Sequence, residues 1–179
     1  MIPNTRDVIE LQDNEFHTVR GYQLLKQDDK LMTSAMEDYL EMIYRNIQEE
    51  GYMRINNLAE LLNVKPSSAT KMVQKLTGLG FLDYKKYGII FLTESGRKCG
   101  KFLLARHNIL EKFLKVIGIN ENLLIETELI EHNISNNTLN NIDQLINFFE
   151  ANPEILKCFE RFKKENNSLI KISNNCESE

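Results

Sequence analysis

The stretch from Ile55 to Thr93 restricts what this chain can fold into more than any other. Ile55, Leu58, Ala59, Leu61 and Leu62 mark a short helix, with Asn56 or Asn57 placed to cap it. Asn63-Val64-Lys65 makes a tight connection to Pro66, whose missing amide suits the first turn of a new helix. That helix, expected over Pro66–Thr77, puts Ala69, Val73 and Leu76 on one side. Ser67, Ser68, Thr70, Lys71, Gln74 and Lys75 occupy the remainder, and Gly78 and Gly80 end it. Phe81 to Thr93 then reads as two short strands around a Lys85-Lys86-Tyr87-Gly88 turn. Two short helices, the second polar-faced and basic, followed by a hairpin, are the pattern of a winged helix-turn-helix. A plain structural hairpin is the alternative for the last part.

Charge supports the first reading. The chain's net charge of −4 conceals a split: residues 65–101 hold 8 basic and 2 acidic side chains, while residues 1–64 hold 6 and 12. A locally basic helix and turn within an acidic chain form a footprint for duplex phosphates. In this reading Pro66, Ser67, Ser68, Thr70, Lys71, Gln74 and Lys75 face the major groove. Lys85, Lys86 and Tyr87 then reach the backbone or minor groove. Ser and Thr suit several bases, so the operator sequence is not legible.

The flanking helices carry a second chemistry. Ser34 to Glu50 reads as one helix, with Ser34 and Glu37 at capping-box spacing and Gly51 as its stop. Met36, Leu40, Ile43 and Ile47 form its apolar stripe. Asp38 and Glu41 project roughly 60° apart on the opposite side. Downstream, Thr93 caps a helix over Glu94–Ile117, closed by Gly118, and His107 falls within its stripe of Leu103, Leu110, Leu114 and Ile117. Asn120 is placed to cap a helix over Glu121–Ile134. Its core side would be Leu123, Thr127, Ile130 and Ile134, with Glu128, Glu131 and His132 clustered opposite. Two further helices, one carrying Leu139, Ile142, Leu145, Ile146 and Phe149 and one carrying Ile155, Leu156, Phe159 and Phe162, have apolar surface enough for subunit contact or for an internal core.

Each polar group alone also fits a solvated acidic face or a hydrogen-bonded core histidine. Together, Asp38, Glu41, His107, Glu128, Glu131 and His132 supply four carboxylates and two imidazoles without a thiolate. Such a set prefers Mn²⁺ or Fe²⁺ at five- or six-coordinate geometry over a tetrahedral structural Zn²⁺, and it can balance two divalent ions. Cys99, Cys158 and Cys176 are odd in number and widely spaced, which fits a reducing cytosol and no disulfide framework. No apolar run approaches the ~20 residues that span a bilayer, and the N-terminus lacks a signal-peptide pattern.

The segments S-A-M-E-D-Y-L-E-M-I-Y, V-K-P-S-S-A-T-K-M-V-Q-K-L, L-T-E-S-G-R-K-C-G-K, A-R-H-N-I-L-E-K-F-L and E-L-I-E-H resemble the diphtheria toxin repressor family, in its manganese-responsive branch. The resemblance runs from about Thr33 to Lys164. It implies a mainly α protein: a winged helix-turn-helix with a small two-stranded wing, then an all-α dimerisation domain. It also implies a homodimer on double-stranded DNA that represses metal-uptake genes when metal-loaded. It assigns the ligand role to the same six residues and favours Mn²⁺, since iron-responsive relatives carry softer Met and Cys at the positions of Asp38 and Glu128. Domains are expected at 34–100 and 101–165, with an N-terminal extension over 1–33, which the family pattern does not explain, and a disordered tail over 166–179. The chain is too short for the SH3-like third domain of some relatives. An iron-responsive regulator of the same family is the near alternative; a metal-dependent hydrolase and a metal-buffering protein are the distant ones.

Overall fold

The computed structural model describes residues 32–48 and 50–166. The expected extension, but for Met32 and Thr33, and the expected tail beyond Asn166 lie outside the described residues. Helix α1 spans Ser34–Asn46, and its N-cap is Thr33, whose hydroxyl accepts from the Met36 amide at 3.4 Å. The cap therefore sits one residue earlier than the Ser34–Glu37 box, and the Glu37 side chain bonds elsewhere. The helix also stops short of Glu50. A turn follows it, closed by the Gly51 amide donating to the Ile47 carbonyl with Gly51 at φ +73°.

Leu40, Ile43 and Ile47 of α1 are fully buried, while Met36 only lies against the core. They pack with Leu58 and Ala59 of α2 (Ile55–Leu61) and with Ala69, Val73 and Leu76 of α3 (Pro66–Gly78). Burying each such aliphatic side chain is worth about 1.5–3 kcal/mol. Pro66 opens α3 as expected. Helix α2 takes Arg54 as N-cap with no side-chain bond, so neither Asn56 nor Asn57 caps it.

The wing is strands β2 (Leu82–Lys85) and β3 (Ile89–Leu92), antiparallel with Lys85 opposite Ile89. Tyr87 at φ +65° and Gly88 at φ +73° make the turn between them. A third strand, β1 (Met53–Arg54), pairs with β3, giving the sheet order β1-β3-β2. The wing is thus three-stranded. Two residues show no period, so sequence pattern carries no signal for β1.

Helix α4 covers Glu94–Ile117, with Thr93 capping through Gly96 at 3.0 Å and Gly118 closing it at φ +96°. It packs along α1, and Gly100 is what allows the close approach: a Cβ there would lie 2.6 Å from the Cβ of Tyr44. Helices α5 (Leu123–Glu131), α6 (Asn136–Ala151) and α7 (Pro153–Asn166) complete the chain. Asn122 rather than Asn120 is the α5 N-cap, and the helix is five residues shorter than its expected range of 121–134. Thr127 is sealed on the expected core side, but Leu123, Ile130 and Ile134 there are only half-buried, and Glu131, expected opposite, is sealed as well. Glu131 is turned inward onto His107 of α4, while Glu128 stays exposed. On the outside, Leu124, Ile125 and Leu129 of α5, Leu145 and Phe148 of α6, and Ile155 and Phe162 of α7 are exposed.

Candidate metal centre and DNA interface

The helix α1 turns two faces to two neighbours. Below its apolar stripe, Glu37, Asp38 and Glu41 look toward α4 and α5, which bring His107, Glu128, Glu131 and His132. All six residues singled out in the sequence meet in one place, in two overlapping groups. Asp38, Glu128, Glu131 and His132 form one; Glu41, His107 and Glu131 form the other; within each group the donor atoms lie within 4.8 Å of one another. Glu131 belongs to both and is 1% exposed.

The imidazoles point their nitrogens inward. His107 Nδ1 is 3.0 Å from Glu131 Oε2, 3.8 Å from Glu128 Oε1 and 3.9 Å from Glu41 Oε1. His132 Nε2 is 2.9 Å from Asp38 Oδ1 and 3.6 Å from Glu131 Oε1. Asp38 Oδ1 is itself buried, and its partner among the described residues is the His132 imidazole. A buried carboxylate oxygen gathered with an imidazole nitrogen and two further carboxylates is a donor set that suits a cation. The donor set fits a divalent ion on that ground.

The cluster's protons report the same crowding. The His132 pKa is pushed up to about 9, first by the Asp38 carboxylate and next by Glu37, against burial. The hydrogen bond to Glu131 raises His107, again against burial. Burial and then the nearby Glu131 and Asp38 charges raise Glu128. Without a cation, protons hold this acidic site together.

Glu37 is the residue that sequence reasoning missed. Its Oε2 accepts from Arg106 Nη2 and from His132 Nδ1, each at 2.9 Å, and all three side chains are largely buried. The signal available was its position one turn before Glu41, on the same face. The capping-box pattern masked it.

Most of the expected DNA-facing residues are exposed. Ser67, Ser68, Lys71, Gln74 and Lys75 are exposed along α3 beside Pro66, and Lys85, Lys86 and Tyr87 stand at the wing tip, with Tyr87 91% exposed. Two are locally engaged. Thr70 is half-buried and turns its hydroxyl onto the Pro66 carbonyl at 2.8 Å, and Lys85 pairs with Asp83 at 2.6 Å. An exposed pair of that kind is worth little and yields readily to a phosphate.

Two family models match the chain. Residues 31–90 match the iron dependent repressor N-terminal DNA binding domain, and residues 93–159 match its metal binding and dimerisation domain. The chain is 44% identical to the HTH-type transcriptional regulator MntR of Oceanobacillus iheyensis, over 77% of this chain and 95% of that protein. It belongs to the iron dependent repressor family.

The MntR of Bacillus subtilis is 43% identical over 75% of this chain and 96% of that protein. A solved manganese-dependent transcriptional repressor in complex with manganese is similar at 31% identity, with a TM-score of 0.55. It shares 63% of this chain, which spans about half of that longer one. As a member of the iron dependent repressor family, the chain is a metal-responsive DNA-binding transcriptional repressor and not an enzyme, which sets the hydrolase alternative aside. Asp38 and Glu41 fall in the segment matched to the DNA-binding domain, and His107, Glu128, Glu131 and His132 in the segment matched to the metal-binding one. The cluster thus straddles the two matched segments.

Proposed function

We propose that this chain is a cytoplasmic Mn²⁺-responsive repressor of metal-uptake genes, working as a homodimer on a DNA operator. The observation that carries the reading is the meeting of Asp38 and Glu41, from the DNA-binding segment, with His107, Glu128, Glu131 and His132. These six residues would hold the cation, with room in the two overlapping groups for two ions sharing Glu131. The all-nitrogen-and-oxygen donor set favours Mn²⁺; Fe²⁺ is the runner-up among hard or borderline ions.

The cation supplies the positive charge that lets four carboxylates share one site. Everything else is done by the chain. Helix α1 packs its apolar stripe on α3 and its acidic side on α4, and it reaches the end of α5 through Glu37 and Asp38 on His132, so fixing the acidic side fixes the tilt of α3. Without the cation, only protons on the two imidazoles offset the carboxylate charges, which leaves a weaker clip of α1 to α4 and α5. In a dimer, that tilt decides whether two α3 helices match major grooves about 34–36 Å apart. Ser67, Ser68, Lys71, Gln74 and Lys75 then meet base edges and phosphates, and Lys85, Lys86 and Tyr87 meet the backbone beside them. The test is fluorescence anisotropy on a duplex from the chain's own promoter. Saturating Mn²⁺ should tighten binding at least tenfold, about 1.4 kcal/mol of coupling. Equal affinity in chelator and in Mn²⁺ would reject the switch.

A further inference from the structure

His132 presents one nitrogen to the carboxylate cluster and the other to Glu37. Nε2 lies 2.9 Å from Asp38 Oδ1, while Nδ1 lies 2.9 Å from Glu37 Oε2. The same Glu37 oxygen accepts from Arg106 Nη2 at 2.9 Å, and that ion pair joins α1 to α4 with both side chains about nine-tenths buried. An arginine so buried needs an ionised partner, and the partner is then fixed in place. Glu37 is not part of either donor group around Glu131.

We propose that Glu37 is a positioning residue for His132, itself held in place by Arg106. An anionic acceptor at Nδ1 keeps the proton on that nitrogen. The lone pair of Nε2 is then turned toward Asp38 and Glu131, where a divalent cation is to be held. The ring is also held at a set angle, since its far side is hydrogen-bonded to a side chain that cannot swing away from Arg106. His132 sits at the C-cap of α5, outside the regular helix, so its ring has more freedom than a mid-helix residue and more need of such a brace. Partners of this kind on a ligand's far side typically change metal affinity about 10–100-fold. The inference rests on the six-residue metal reading above and adds to it a pair, Glu37 and Arg106, that touches no cation.

The test is calorimetric titration of the metal-free full chain with Mn²⁺ at fixed pH. The variant E37M/R106L removes the acceptor without leaving a lone buried charge. It should retain the wild-type circular dichroism and bind Mn²⁺ at least about tenfold more weakly. The same pair introduced beside His132→Ala should add less than about a twofold loss, because the ring it positions is gone. A purely structural ion pair would weaken binding equally in both backgrounds, and that result overturns the proposal, as does unchanged affinity in E37M/R106L. If that variant does not fold, Glu37→Gln enters the same cycle. A loss of about threefold or more that vanishes beside His132→Ala is then expected, and an equal loss in both backgrounds or none at all overturns the proposal. The unsubstituted chain is titrated in parallel. Failure to take up Mn²⁺ there rejects the metal reading and the inference with it, whereas uptake there with no loss in the variants rejects the inference alone.

Discussion

Glu131 touches both halves of the cluster, through Oε2 to His107 and through Oε1 toward His132, and it is sealed from solvent. Substituting Gln keeps its shape and removes its charge. Glu131→Gln should therefore abolish the Mn²⁺ response of DNA binding while the far-ultraviolet circular dichroism stays that of the unsubstituted chain. A variant that still responds fully would remove Glu131 from the ligand set. The histidines give a pH test of the metal-free form. His132 has a folded pKa near 9 against an ordinary value of 6.5, and His107 is raised as well. Both bind their protons more tightly in the folded chain, so the stability they contribute is complete below about pH 6.5 and is lost as pH rises through 9. Urea midpoints measured in chelator should fall over that window; a flat profile would contradict the proton-held site. The six residues were legible because their types and helical spacing are written in the chain. Glu37 was not, because Thr33 and Ser34 are equally able caps. The choice between them leaves Glu37 for Arg106, 69 residues away, and nothing local records that.

At the scale of elements, the contact between α1 and α4 carries the coupling. Gly100 sits where that contact is tightest, and any Cβ there meets the Tyr44 ring. Gly100→Val should push the helices apart. The expected loss is about 1–3 kcal/mol of stability from overpacking, together with weaker Mn²⁺ binding, read by thermal unfolding and by titration. Normal Mn²⁺ affinity in a folded Gly100→Val chain would show that the helix spacing does not matter to the site. Helices α3 and α4 follow their capping and stop residues closely, since Pro66, Thr93 and Gly118 act locally. Helix α5 does not. Its apolar residues outnumber its polar ones, yet the buried position beside Thr127 is Glu131, which turns into the acidic cluster. Period alone cannot distinguish a buried carboxylate from a solvated one.

For the whole molecule, the exposed apolar residues of α5, α6 and α7 leave a surface that the described residues do not cover, and all but Phe162 fall in the segment matched to a dimerisation domain. The basic module comes before it in the chain, and α1 touches both α3 of that module and α4. Fold class and order of parts could be read from the sequence, since helix periods, the proline and the basic hairpin are local features. The angle between the two parts could not, because no local pattern records how side chains 69 and 95 residues apart meet. If that angle is what the metal sets, metal and operator must each strengthen the other by the same factor. The most direct measurement is the Mn²⁺ affinity of the full chain, alone and saturated with operator duplex. The account predicts at least a tenfold tightening on DNA, equal to the gain in DNA affinity with Mn²⁺; the same Mn²⁺ affinity in both states would contradict it.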